Sequence, residues 1–175
     1  MKNELPKELT LVKEALLNTF SLFSEDTLNI IPFEGSWTSG QVAEHILISA
    51  TGVARAMSGP LAPAERDPEQ HIKLLGDIFL NFDVKLNSPD FVRPSDKPKN
   101  KDTLTQNLSK TFGSIITSAR DKDTDLLCTS FEMPTLGFLS VKELAYFTIV
   151  HTQRHIRQLR NIADSFAGQN IIQSK

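Results

Sequence analysis

The chain carries four histidines, His45, His71, His151 and His155, and a single cysteine, Cys128. His151 and His155 stand four residues apart in HTQRHIRQL, so on a helix both rings leave the same side about one turn apart. That side is the apolar one. Leu144, Thr148, His151, His155, Leu159 and Ile162 keep the three-and-four rhythm of a stripe that meets a core. His45 sits the same way on a second stripe, Gln41, Val42, His45, Ile48, Ser49, Gly52 and Ala56, whose small members let another helix come close. Two inward imidazoles one turn apart, with a third from a facing helix, are how a helical bundle holds a metal. Neutral imidazole suits zinc, nickel, copper or iron, and three protein ligands leave a position open for water or substrate, the pattern of a catalytic zinc. The expected ligands are His45, His151 and His155. Gln41, one turn before His45, and Gln158, three residues after His155, are candidates to orient a ligand or a bound water.

A lone i,i+4 histidine pair is a weak signal, and one histidine on an apolar stripe is more often a hydrogen-bonded core residue. Three of them on stripes that should be buried change the balance, because polar rings without a shared partner are costly to bury. The remaining reactive residues read more plainly. His71 opens a helix just after Pro68-Glu69-Gln70 and is expected at the surface. Cys128, beside Leu126 and Leu127, reads as a small buried residue, and one cysteine excludes both a disulfide framework and a Cys-rich zinc site. Trp37 precedes a helix cap and reads as a hydrophobic staple. Arg154 and Arg157 leave the metal face and are expected to pair with acids on neighbouring helices. Nucleotide-binding glycine loops, GxSxG and HExxH are all absent. A dinuclear carboxylate site needs Glu-x-x-His, and the residues three before the histidines are Val42, Thr148 and Thr152.

The elements that must position these rings are set off by nine prolines, which break helix interiors. The windows between them carry helical stripes: Leu5, Leu9, Val12, Leu16, Phe20 and Phe23; then the His45 stripe; then Ile72, Leu75, Phe79, Phe82 and Leu86. A fourth stripe joins Leu104, Leu108, Phe112, Ile115 and Ala119, with Gly113 a weak point, and the His151 stripe is the fifth. Thr38-Ser39-Gly40-Gln41 and Ser140-Val141-Lys142-Glu143 are capping boxes that start the second and fifth helices. The strand candidates, Leu28–Phe33 and Cys128–Met133, are short. The expected fold is all-α, a bundle of five helices with little or no sheet and one domain over residues 1–175. The linker 58–68, SGPLAPAERDP, has roughly 35 Å of reach and could run the length of such a bundle. Residues 88–101 read as a polar surface loop.

Composition bounds the partners. A hydrophobic share of 39% with 23% charged residues fits neither a disordered polyelectrolyte nor a membrane protein. A net charge of -2 argues against nucleic acid as a partner. No run approaches 18 apolar residues, and Glu4, Lys7, Glu8 and Lys13 fall where a signal peptide needs an apolar stretch, so the expected location is the cytoplasm with no membrane partner.

IPFEGSWTSGQVAEHI, followed about a hundred residues later by LGFLSVKELAYFTIVHTQRHIRQL, resembles the DinB/YfiT-like superfamily of metalloenzymes. The resemblance rests on the Trp37-Thr38-Ser39 opening with His45 and on the closing segment with His151, Arg154, His155, Gln158 and Leu159. It implies an up-down-down-up four-helix bundle with a long crossover and one additional helix. It also implies a metal triad at His45, His151 and His155 holding zinc or nickel, and a homodimer. The activities it brings are transfer or isomerisation with a low-molecular-weight thiol such as bacillithiol or mycothiol, or metal-dependent hydrolysis. A bundle that binds a small molecule or a partner without catalysis is the contrasting reading.

Overall fold

The computed structural model describes the backbone of residues 4–173 and the side chains up to residue 168. Six helices, α1 (Glu4–Phe20), α2 (Glu25–Leu28), α3 (Ser39–Ser58), α4 (Ile72–Phe79), α5 (Lys101–Asp121) and α6 (Val141–Gln173), are joined by three strands, β1 (Leu61–Ala62), β2 (Leu127–Met133) and β3 (Gly137–Ser140). The chain is mostly helical, as expected; the four-residue α2 and a small three-stranded sheet add to the five helices expected. An antiparallel sheet of order β1-β2-β3 closes one end of the helices. No described helix is long and apolar enough to cross a membrane.

Four long helices share the core. α1 packs on α5 and α6, and α3 packs on the same two. The stripes read from sequence are the buried faces: Leu9, Val12, Leu16 and Phe20 of α1, Leu104, Leu108, Phe112 and Ile115 of α5, and Leu144, Leu159 and Ile162 of α6. Chain direction follows from the ends. Lys101, which opens α5, donates from Nζ to Ser21 O just beyond α1 at 3.1 Å. The Asn29 amide brackets Lys99, donating to its O at 2.9 Å and accepting from its N at 2.7 Å, so α3 and α5 start at the same end. Phe23 meets Phe166 edge-to-face with centroids 6.5 Å apart, which brings the late turns of α6 to that end too.

Close approach at the start of α3 needs Gly40. A Cβ there would stand 2.8 Å from Lys99 Cγ and 3.1 Å from the Leu28 carbonyl oxygen, whereas one at Gly113 in α5 would meet nothing within 4 Å. Gly113→Ala is expected to stabilise by about 0.5–1 kcal/mol through helix propensity. The same change at Gly40 is expected to destabilise by about 1–3 kcal/mol through overpacking. Urea denaturation of the two variants checks both signs.

Three expectations about connections are corrected. Leu28–Phe33 is not a strand: Ser24 caps the short α2, which ends at Leu28, and Ile30, Ile31 and Phe33 lie exposed beyond it. The linker 58–68 does not run the length of the molecule. Pro60 O accepts from Thr129 N, and Leu61 and Ala62 pair with Cys128 and Leu127, which hold it at the sheet end. The return is made by α4, lying along α6, and by residues 80–100. The stripe through Phe82 and Leu86 is not a continuous helix either, since α4 stops at Phe79 and both residues are partly exposed.

Candidate metal centre

The two capping boxes set where each site helix begins. Thr38 Oγ1 accepts from Gln41 N at 3.1 Å while Gln41 Oε1 accepts from Thr38 N at 3.0 Å. Ser140 Oγ accepts from Glu143 N at 3.0 Å while Glu143 Oε2 accepts from Ser140 N at 2.9 Å. With both starts fixed, helical periodicity turns His45, His151 and His155 into one buried space between α3 and α6. Their ligand atoms all lie within 4.8 Å of one another. His45 Nε2 is 3.1 Å from His151 Nε2. Nitrogens bonded to one tetrahedral zinc at about 2.0–2.1 Å stand roughly 3.3 Å apart, so this pair is spaced for a common ion.

Two of the rings have their other nitrogen committed. His45 Nδ1–H donates to Val92 O at 2.8 Å, and His155 Nδ1–H donates to Gln158 Oε1 at 2.8 Å. Each bond fixes the tautomer and leaves the Nε2 lone pair facing the other histidines. Burial keeps all three rings neutral. It lowers His45 even against the Val92 hydrogen bond, which pulls the other way. Burial, then charge repulsion from His155, His45 and Arg154, holds His151 well below the ordinary histidine value. His155 is pushed down to about 3 by burial and by His45, the Gln158 bond opposing. Three neutral, converging donors are the state a metal requires.

Aromatic rings wall the site. Phe147 stacks on His151 with centroids 5.1 Å apart, and Phe79 meets His151 edge-on at 5.6 Å. Trp37 lies 5.2 Å from His45, so it lines the centre, a role its place before the cap did not reveal. On the open side is a cavity of about 870 Å³ between α3, α4, α6, the β2–β3 hairpin and residues 86–92. None of its lining residues is an aspartate or glutamate.

The chain matches the DinB superfamily over residues 8–159. It belongs to that superfamily. No curated protein and no solved structure matches it. The DinB-superfamily match takes in all three histidines and every residue found around them.

Other residues singled out in the sequence of this DinB-superfamily chain fall in different places. Gln158 is bonded to His155 as described, but Gln41 is not at the imidazoles. Its amide closes the Thr38 cap and donates to Ser95 O and Asp96 Oδ1, because capping and ligand support compete for the same short side chain. His71 is half-buried at the start of α4 and outside the triad, with its backbone N donating to Glu143 Oε1 at 2.9 Å. Cys128 is buried, and burial raises its thiol to about 11, so it stays protonated.

Arg154 and Arg157 correct the expectation of acid partners. Arg154 Nη1 donates to Asn81 O at 2.7 Å and Phe79 O at 3.4 Å, and its Nη2 donates to Val84 O. The Arg157 guanidinium lies 4.5 Å over the Phe82 ring. Together they pin the segment after α4, and that segment supplies the Val92 carbonyl to His45. Its far side is fastened where Ser95 N donates to Glu44 Oε2 at 2.7 Å and Lys99 Nζ pairs with the same oxygen at 2.7 Å. Arg154 and Val92, like Trp37 and Phe147, are site residues that stripe reading missed. For Arg154 the signal was present, since a cation that cannot lose its charge sat one position from a buried histidine.

Proposed function

We propose that this chain is a mononuclear metal-dependent enzyme, holding zinc or nickel on His45, His151 and His155 and transferring a low-molecular-weight thiol to an electrophile. The observation that carries the reading is the convergence of three neutral imidazoles at the edge of a substrate-sized cavity. A divalent ion on neutral ligands keeps its full charge and would lower the pKa of a bound thiol or water. His45 and His155 present fixed Nε2 lone pairs, held by Val92 O and Gln158. Phe147, Phe79 and Trp37 keep bulk water from the rings, which strengthens every charge interaction inside. Thiol transfer is favoured over hydrolysis because the cavity lining holds no carboxylate to act as a general base for water. A thiol that has given its proton to solvent needs none: its sulfur forms a bond to carbon as halide leaves.

The directions of α1, α3, α5 and α6 support an up-down-down-up bundle, with α4 as the additional helix in a long crossover. We further infer a cytoplasmic homodimer acting on a small molecule, as the sequence resemblance implies, and the net charge of -2 argues against a nucleic-acid partner.

Turnover of a chloronitroarene by metal-loaded protein, with and without candidate thiols, tests the reaction. Product is expected only with thiol and metal together. Equal rates with and without thiol would overturn the transferase in favour of hydrolysis. Protein that takes up no metal, with a melting temperature unmoved by chelator, would leave a non-catalytic binding bundle. Within the site, Gln158→Leu removes the acceptor for His155 Nδ1–H while keeping its bulk. Metal affinity, read by competition with a chromogenic chelator, is expected to fall about tenfold or more.

A further inference from the structure

The mouth of the cavity is built from two aromatic side chains that have little else to do. Phe91 projects from the 3-10 turn Asp90–Val92, and Phe131 from the middle of β2. Their rings meet edge-to-face at 6.2 Å, joining two segments that are distant in sequence. Yet 57% of Phe91 and 39% of Phe131 remain exposed. Both line the cavity that leads to the histidines. An exposed aromatic pair on the wall of a concave apolar pocket is the kind of surface small-molecule sites are built from.

The interior continues the same chemistry. Phe79 and Phe147 meet at 5.2 Å with an interplanar angle of 76°, and Phe147 is stacked on His151. The aromatic faces thus run from the rim to the centre. Apart from an ion held by the histidines, the described lining offers no free charge in the interior. No carboxylate lines the cavity, and the Arg154 guanidinium is taken up by three backbone carbonyls. Arg55 is the other lining cation and is exposed, so a ligand charge would be met at that edge, in water. A charged group held in the cavity away from the histidines would lose its hydration without compensation. The volume of about 870 Å³ lies within the range of small-molecule sites and leaves room for a thiol beside a substrate.

We propose that the electrophile this site takes is a neutral, mainly aromatic molecule, received at the rim against the Phe91–Phe131 pair and stacked further in against the Phe79–Phe147 pair. The substrate role rests on the metal-dependent transfer proposed above; the binding itself requires only the cavity, so the two fail separately.

The probe is N-phenylnaphthylamine, a neutral aryl dye whose emission rises in apolar surroundings, titrated into the full chain. Saturable binding is expected, weakened about five- to tenfold in Phe131→Ala and in Phe91→Ala by loss of one ring contact with its buried area. Ile48→Trp, which fills the cavity from its half-buried wall, is expected to weaken binding more than tenfold. An unchanged melting temperature in each variant keeps misfolding out of the comparison. The native chain stripped of metal by chelator is expected to bind the dye within about twofold of the metal-loaded chain, which separates the ligand pocket from the metal reading. Absent saturation, or equal affinity in Ile48→Trp, would overturn the proposal. So would Phe→Ala variants that bind dye normally but convert a dimer to monomer by light scattering, because the two rings would then be a subunit contact.

Discussion

His155→Ala purified without chelator is expected to carry less than about a tenth of the zinc or nickel held by the native chain, which should bind ~1 ion per chain. Inductively coupled plasma mass spectrometry on the two proteins reads this directly. The effect should be large because two imidazoles are a poor site: dropping from three protein ligands to two removes both a bond and the convergence that His155 shares with His45 and His151. It should also be specific. His155→Ala deletes a buried ring and leaves a cavity, so some stability is lost too, but Gln158→Leu leaves the ring in place and should lose affinity with little change in melting. A native chain that holds no metal after incubation with excess ion would leave the histidines as packed core residues.

The largest effect on stability is expected at a residue remote from the metal. Glu143 has a fully buried side chain, and Arg66 grips it with two parallel bonds, Nη1 to Oε1 at 2.9 Å and Nη2 to Oε2 at 2.6 Å. The backbone N–H groups of Ser140 and His71 donate to it as well. Glu143→Ala would leave the Ser140 and His71 N–H groups without their acceptor, and the Arg66 guanidinium without its counter-charge and with only the Asp67 and Phe138 carbonyls, at the junction of the linker, α4 and α6. Removing one partner of such a pair costs about 3–5 kcal/mol. For a chain of this size that lowers the melting temperature by roughly 10 °C. Burial raises the pKa of this carboxyl, but the hydrogen bonds from Arg66, Ser140 and His71 and the Arg66 charge outweigh it, so the net shift is downward. The folded form therefore binds this proton less readily than the unfolded chain. Its stabilising contribution is full above the unfolded value of about 4.3 and is lost as pH falls through the lower folded value. The gap in melting temperature between the native chain and Glu143→Gln should stay constant near neutrality and narrow below about pH 4. A gap that widened on acidification would contradict this assignment.

What was legible in the sequence was whatever is governed by neighbours along a helix. The stripes of α1, α5 and α6 are the buried faces, and both capping boxes close as written because their partners are three residues apart. What was not legible depends on groups brought together from far away. α4 ends at Phe79 although the apolar rhythm continues, and the carbonyls of Phe79, Asn81 and Val84 instead meet Arg154 from α6. Cys128–Met133 was recognised as a strand candidate, but its partners are only two and four residues long and carry no pattern of their own. Gln41 and Gln158 looked equivalent by spacing. The first is consumed by the start of its helix, while the second lies well inside α6, where the backbone needs nothing from it. The acceptor for His45 is a main-chain oxygen 47 positions away, and no residue type announces it.

That last contrast sets how this centre can diverge. The amide behind His155 is encoded by one codon, so a single substitution at position 158 retunes or deletes it. The oxygen behind His45 belongs to the peptide backbone and survives any side-chain change at Val92. It is carried away by changes that move the whole segment, an insertion or deletion between α4 and Asp90–Val92 or the loss of a side chain that pins it, such as Arg154. Descendants of this chain would thus retune one half of the centre at a single position and the other half only by shifting a loop.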